Sequence, residues 1–384
     1  MRKDFLVFGS PLIEQPEIDE VVASLKSGWL GTGPKVQKFE EMFKEYKGTK
    51  YEMALNSCTA ALHLSMLAIG IRPNDEVIVP TMTFAATANA VIHAGGKPIF
   101  VDCKRDTMNI DPQNIEQKIT SKTKAIIPVH FAGRPCEMDA IMNLANKYNL
   151  KTVEDCAHAI ETEYHGKKTG TFGDLDCFSF YVTKNIVTGE GGMVITDNED
   201  YANRIKILAL HGMSKDAWSR FGDEGFKHYQ VVYSGFKYNM MDIQAAIGMH
   251  QLHRIDKYWN RRQEIWNRYN EAFRDLPVFI PAPVEPDTRH AYHLYTLLLD
   301  IDRLKITRDR FLNEMTGQNI GVGVHYIALH LHPYYQQTYG YKRGDFLNAE
   351  WISDRTVSLP LSAKLTDDDV EDVIEAVRKV IDDR

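Results

Sequence analysis

The stretch Glu76-Val-Ile-Val-Pro-Thr-Met-Thr-Phe-Ala-Ala-Thr-Ala-Asn-Ala-Val-Ile-His-Ala-Gly-Gly-Lys-Pro-Ile-Phe-Val101 decides the fold class. It opens with a short apolar run, Glu76–Pro80, passes through Phe84–Ala94 with helical spacing, and ends in a second apolar run, Pro98–Val101. Runs this short and this apolar predict strands covered on both faces, with the helix as the crossover between them. The same alternation extends outward. Ala125–Val129 and Thr152–Glu154 read as further buried strands, and Ala60–Ile69 and Met138–Tyr148 as helices. Strand and helix in alternation predict βαβ units in a mostly parallel sheet, an α/β fold.

Around this centre, Pro16–Lys26 reads as a helix with Pro in its first turn and Gly28 just past its end. Cys177–Tyr181 and Met193–Thr196 are two further strands, joined through Thr183–Gly192. Asp242 to Phe273 carries one long helical pattern, with apolar Ile243, Ala246, Ile247, Leu252, Ile255 and Trp259. The Pro-rich segment Pro277–Pro286 marks a boundary. Beyond it, Tyr292–Leu299, Gly321–Tyr326 and a helix from about Asp367 predict a smaller α+β domain.

A chain of 384 residues has room for one large domain and a smaller one. The net charge of −7 gives no basic face for nucleic acid and discourages an anionic membrane surface. An anionic ligand therefore needs a local pocket of donors. Met1–Ser10 lacks the apolar run of a signal sequence, and no stretch of about 18 apolar residues occurs, so a cytoplasmic protein with no membrane partner is expected. The 5 cysteines are scattered without a CxxC pair, which argues against a disulfide framework or a zinc ribbon.

Three segments carry chemistry. In Ser179-Phe-Tyr-Val-Thr-Lys184-Asn-Ile-Val-Thr-Gly-Glu-Gly-Gly192 a lysine follows a buried strand and precedes a cluster of glycines. Such a lysine can have a lowered pKa and act as an amine nucleophile, and the glycines let backbone approach a flat ligand. Taken alone, the stretch reads first as a solvated hairpin lysine. Val153-Glu-Asp155-Cys-Ala-His158-Ala places an acid at the C-terminal end of a strand, where open α/β sheets bind ligands. Asp155 could hold a pyridine nitrogen protonated; the plainer alternative is a helix cap. Asn56-Ser57-Cys58-Thr59-Ala60-Ala61-Leu62 opens a helix with hydroxyls, either as a phosphate site or as an ordinary cap.

Taken together in their order along the chain, the segments resemble the nucleotide-sugar aminotransferase family of fold type I pyridoxal-phosphate (PLP) enzymes, the DegT/DnrJ-like group. The similarity runs from Gly28-Trp-Leu-Gly-Thr-Gly33-Pro to Leu359-Pro-Leu361. It implies an aspartate aminotransferase-like large domain with an N-terminal arm over residues 1–256 and a small α+β domain over 257–384. The resemblance makes Lys184 the catalytic lysine that holds pyridoxal 5′-phosphate covalently, with pyridoxamine phosphate as the intermediate form. It pairs Asp155 with the pyridine nitrogen and puts His158 beside it. It gives Thr59, Ser179 and the backbone of Ala60 to the phosphate and Phe84 to the ring face, and Ser57 is a further cofactor-binding candidate. The segment from Gly235 to Ala246 resembles a stretch that reaches the phosphate of the neighbouring subunit. Many relatives carry their asparagine two positions earlier, where this chain has Lys237. Asn239 is thus the cross-subunit candidate, and Lys237 could share the contact. Thr32, Gly33, His325 and Tyr326, with Lys184, are the implied substrate contacts.

Family members with histidine in place of the lysine deoxygenate their substrate, and Lys184 speaks against that branch. The implied activity is transfer of an amino group from glutamate to a nucleotide-linked 4-keto-6-deoxyhexose, by ping-pong kinetics, in a homodimer with shared active sites. The 4-position leans loosely on His211-Gly-Met-Ser-Lys-Asp-Ala-Trp218 and Leu329-His-Leu-His-Pro-Tyr-Tyr335. Amination at C3 or of a cyclitol ketone is the rival within the class, and a PLP-binding regulator that senses a sugar nucleotide is the rival outside it. His325, His330 and His332 are close in sequence but lack an acidic or thiol neighbour, so no metal is expected. The aromatic run from Tyr258 to Phe273 reads as helix packing and dimer surface.

Overall fold

The computed structural model describes residues 2–214 and 229–382. Its strands, in chain order, are β1 Tyr51–Leu55, β2 Glu76–Pro80, β3 Lys97–Val101, β4 Thr123–Ile126, β5 Lys151–Asp155, β6 Glu163–Tyr164 and β7 Lys167–Lys168. There follow β8 Leu175–Ser179, β9 Gly192–Thr196, β10 Val278–Phe279, β11 Thr288–Arg289, β12 Tyr295–Leu299 and β13 Thr356–Leu359. Seven of them form the central sheet, in the order β1-β9-β8-β5-β4-β2-β3. Every neighbouring pair is parallel except those involving β9, which runs against both β1 and β8. The mostly parallel mixed sheet expected of the α/β fold is therefore present.

The covering helices differ in pattern because they differ in burial. Cys58–Ala68 is small and apolar nearly all round and is buried along almost its whole length. Met138–Tyr148 buries only Met138, Ile141 and Ala145, one stripe at helical spacing, and keeps its other face polar. A second sheet, β10-β12-β13, packs against Ile255–Phe273, Arg308–Gly317 and Asp367–Asp382. Its core gathers Trp266, Tyr269, Phe273, Tyr295, Leu297, Phe311, Val357 and Val373, and Leu6 from the other end of the chain joins it. Leu6 pairs there with Ile320.

Several expectations need correcting. The strand expected over Ala125–Val129 stops at Ile126, because Pro128 has no N–H for the ladder, and Val129 keeps only a bridge to Asp155. The strand expected at Cys177–Tyr181 begins two residues earlier and ends at Ser179, freeing Tyr181 for the loop. The single helix over Asp242–Phe273 is two, Asp242–His253 and Ile255–Phe273. Arg254 leaves helical geometry between them (φ −103°, ψ 12°), and its guanidinium pairs with Glu14 and Glu17. Gly321–Tyr326 forms no strand; only Gly323 bridges to Ser358. The helix Pro34–Lys47 and the small sheet β11-β6-β7 were not anticipated. Among the described residues no helix is long and apolar enough to cross a membrane.

Candidate active site

The parallel strands all end at one edge of the sheet, and β9 begins there. Ser57 follows β1, Phe84 follows β2, Asp155 closes β5, Ser179 closes β8, and Lys184 lies in the connection from β8 to β9. These residues, with Thr59, His158, His325 and Tyr326, line a single cavity of about 520 Å³. That is the edge where open α/β sheets take ligands, and the volume suits a small molecule.

The connection that carries Lys184 is pinned at its base. Phe180 N–H donates to Gly191 O at 2.9 Å and Thr188 N–H to Phe180 O at 2.8 Å. Lys184 is half-buried, and burial lowers its ammonium pKa to about 8, against the opposing pull of Cys58 and Asp155. Asp155 is buried. Its Oδ2 accepts from the Thr87 hydroxyl at 2.8 Å and its Oδ1 from Ala157 N–H at 3.1 Å. Burial pushes its pKa up, while those two donors and the Lys184 charge hold it down.

His158 is buried beside Asp155. Its Nδ1 accepts from Ala132 N–H at 3.2 Å, so in the neutral ring the proton sits on Nε2 and faces the Tyr326 hydroxyl at 3.2 Å. Burial and the Lys184 charge keep His158 well below its usual pKa. Tyr326 thus spends its hydroxyl on His158, and its ring lies 6.0 Å from that of Phe84. Phe84 itself is 61% exposed. His325 bonds Ser358 Oγ at 2.8 Å through Nδ1 and is stacked upon by Phe8 at 5.6 Å.

At the start of the helix Cys58–Ala68, Ser57 Oγ accepts from Ala60 N–H at 3.1 Å, so the expected cap is present and Ala60's amide is occupied. The first-turn amides of Cys58 and Thr59 have no partner within the helix. Gly192 packs directly against this turn: a Cβ there would stand 2.4 Å from the Ser57 carbonyl carbon and 2.5 Å from Cys58 N.

Thr32, Gly33 and Asn239 do not line the Lys184 cavity. They meet one another instead, at a separate cavity of about 650 Å³. Asn239 Nδ2 donates to Thr32 Oγ1 at 2.7 Å, and Thr32 donates to Met240 O at 2.5 Å. His211 lies outside the Lys184 cavity, with its N–H on Phe236 O at 2.7 Å, and residues 215–218 fall outside the described residues. His325, His330 and His332 go to different partners. His330 is held between Thr81 and Glu350, and His332 approaches Ile327 O. Sequence reasoning missed Thr87, Tyr181, Thr183 and Glu190, which also line the cavity. Thr87 had a readable signal, a hydroxyl one turn along from Phe84 on the same helix.

The sequence profile of the DegT/DnrJ/EryC1/StrS aminotransferase family matches residues 11–378. Over 381 residues, 99% of this chain and 98% of the relative, the sequence is 49% identical to SpsC of Bacillus subtilis, a spore coat polysaccharide biosynthesis protein. Helicobacter pylori PseC, an aminotransferase involved in the biosynthesis of pseudoaminic acid, superposes with a TM-score of 0.91 at 29% identity, covering 100% of both chains. The PLP form of Spr1654 from Streptococcus pneumoniae superposes with a TM-score of 0.90 at 32% identity, covering 99% of both.

Proposed function

This chain belongs to the DegT/DnrJ/EryC1/StrS aminotransferase family and is a PLP-dependent aminotransferase, and from that premise we propose that it moves an amino group from glutamate to a nucleotide-linked 4-keto-6-deoxyhexose. One observation carries the choice of site: Lys184 and Asp155, on separate elements, meet in one cavity with an exposed aromatic ring. The names of SpsC and PseC, a polysaccharide and a sugar-acid pathway, support the substrate class.

The residues present fit the cofactor. Phe84 offers an exposed ring face, and Asp155 offers a buried carboxylate on the cavity wall, each oxygen of which accepts one side-chain or backbone donor and keeps a further lone pair for a ring N–H. Gly192 leaves the first turn of Cys58–Ala68 open to a phosphate, with Ser57, Thr59 and Ser179 as hydroxyl donors. When bound, pyridoxal phosphate supplies an electron sink for the charge left on the substrate carbon. Asp155 would hold a proton on the ring nitrogen and so keep that sink effective. Lys184 Nζ would hold the cofactor, and as a free amine it would be placed to move a proton at the reacting carbon. His158, uncharged and fixed by Ala132 and Tyr326, supports the ring without competing for protons. His325 and Tyr326 face the sugar.

Thr32, Gly33 and Asn239 are assigned to a second subunit's site, with Lys237 near the same phosphate. Helix Gln15–Ser27 and the turn after it present Ile18, Val22, Leu25, Trp29 and Leu30 to solvent, an apolar stripe suited to a second copy. Residues 1–256 and 257–384 are read as the large and small domains, and the enzyme as cytoplasmic.

The test is turnover with glutamate and a panel of nucleotide-linked 4-keto and 3-keto hexoses and a cyclitol ketone. Release of 2-oxoglutarate with the 4-keto compounds supports the reading; release only with a 3-keto compound or the cyclitol replaces it. Binding without release points to a sensor. Lys184→Ala should abolish turnover and the borohydride-stable attachment of cofactor.

A further inference from the structure

Behind the cavity a set of buried groups, unused by the chemistry above, converges on Asn185, the residue after Lys184. Asn185 Nδ2 donates to Glu161 Oε2 at 2.8 Å and to Ala291 O at 2.9 Å. Both partners only accept, so the two amide hydrogens are used and the amide's orientation is fixed. Asn185 Oδ1 therefore faces Nδ1 of His293 at 2.9 Å, and His293 carries its proton there and donates. The other oxygen of Glu161 pairs with Arg262, and the two side chains are 0% and 3% exposed. Arg262 Nε also reaches Ala291 O at 3.4 Å.

The His293 ring lies 4.5 Å from the His158 ring. Both hang from one residue: His293 N–H donates to Ala132 O at 3.1 Å, and Ala132 N–H donates to His158 Nδ1. Ala132 adopts φ 55°, a left-handed conformation that an alanine takes only where its surroundings impose it. The two rings are thus held in opposite tautomers, with the proton on Nδ1 in His293 and on Nε2 in His158.

We infer that Asn185 is a positioning residue for the reaction, which ties the Lys184 connection to the Glu161–Arg262 pair and holds His293 uncharged with its proton on Nδ1. The inference rests on the reading of Lys184 as the catalytic amine. An amide suits the position because it donates to a carboxylate on one side and accepts from an imidazole on the other. A carboxylate there would set an oxygen against Glu161 Oε2 with no hydrogen between them. It would also give the His293 imidazolium a partner, as buried acids do for histidine. The groups that act on Lys184 are Asp155 and Cys58, which favour its charge, and the rings of His158, His293 and His325, each disfavoured as a cation by burial and by Lys184 itself. A charged His293 would add a cation to this set and disturb both the amine and the neighbouring His158 ring.

The test is nitrogen NMR of histidine-labelled, cofactor-free protein, with His293 assigned by comparison with His293→Asn. Wild type should show a neutral His293 protonated on Nδ1 near neutral pH, and Asn185→Asp should convert it to imidazolium. In the loaded enzyme, Asn185→Asp should lower kcat at neutral pH by roughly tenfold or more, with recovery as the pH is raised and His293 loses its extra proton. KM for glutamate should change less than kcat. A wild-type His293 that is charged or protonated on Nε2 overturns the inference, and that spectrum decides even if the variant does not fold. A folded Asn185→Asp with wild-type kcat and pH profile overturns it as well, as does a loss of activity that is independent of pH and follows only the folded fraction. Turnover retained by Lys184→Ala would instead sink the functional reading and leave the tautomer measurement standing on its own.

Discussion

Thr87 donates its hydroxyl hydrogen to Oδ2 of Asp155 across 2.8 Å. Its oxygen can then accept from Thr83, whose hydroxyl lies 2.9 Å away. Asp155 is buried and pushed toward its protonated form, so each donor that favours the carboxylate counts. Thr87→Val removes one of two donors. A hydrogen bond to a charged group contributes about 1.5–3 kcal/mol, so kcat should fall by roughly ten- to a hundredfold. The carboxylate is then formed only at higher pH, so the acid limb of the rate profile should move up. Thr87→Ser should restore both, and an unchanged acid limb in Thr87→Val would refute the assignment.

Lys184 offers a second measurable consequence. With its pKa lowered to about 8, the free amine in cofactor-free protein should rise through that pH rather than through the ordinary lysine value. At pH 7 about one molecule in ten would already carry the neutral amine. Competitive acetylation followed by peptide mass spectrometry reads this directly. A midpoint near the ordinary value of 10.5 would mean that Lys184 is fully solvated.

Gly192→Ala should separate cofactor retention from folding. The added carbon would press on backbone atoms of Ser57 and Cys58, which cannot swing away as a side chain can. Overpacking of this kind costs about 1–3 kcal/mol, and here it falls on the turn assigned to the phosphate. Cofactor affinity should drop by more than the loss in thermal stability accounts for, as equilibrium dialysis against Tm would show.

Lys47 provides a pH test of stability away from the cavity. It is 4% exposed, donates to Thr169 O at 2.8 Å and lies 4.5 Å from the centre of the Phe178 ring. Burial lowers its pKa to about 8 from 10.5, so between these values the unfolded chain binds more protons than the folded one. Stability attributable to Lys47 therefore grows as pH rises through this window and is lost as pH falls through about 8. The difference between wild type and Lys47→Met in urea denaturation should swing by about 2 kcal/mol in favour of wild type from pH 8 to 10. A pH-independent difference would show that Lys47 stays charged in the fold.

What the sequence disclosed follows from where its information is local. Apolar runs such as Glu76–Pro80 announce buried strands because both faces are covered, and the Lys184 loop is flagged by its own glycines. The end of β4 was also legible, in Pro128, once the missing N–H is counted. The break at Arg254 was hidden, because Asp242–Phe273 keeps its helical pattern across it and the cause lies in Glu14 and Glu17. The Thr87–Asp155 bond joins residues on different βα units, and the Asn185–Glu161–Arg262 set joins three separate segments. No spacing within one segment encodes such meetings. Thr32 and Asn239 were each singled out, but their mutual bond, apart from Lys184, emerged only from the fold.

The pairing of Leu6 with Ile320 and the stacking of Phe8 on His325 set a schedule for the chain's own manufacture. Leu6 and Phe8 cannot reach their places until synthesis has passed Ile320 and His325. The central sheet can assemble meanwhile, but the wall around His325 closes only when the segment of Leu6 and Phe8 meets that of Ile320 and His325. A bulky group fused just before Phe5 would therefore encumber a segment that docks late.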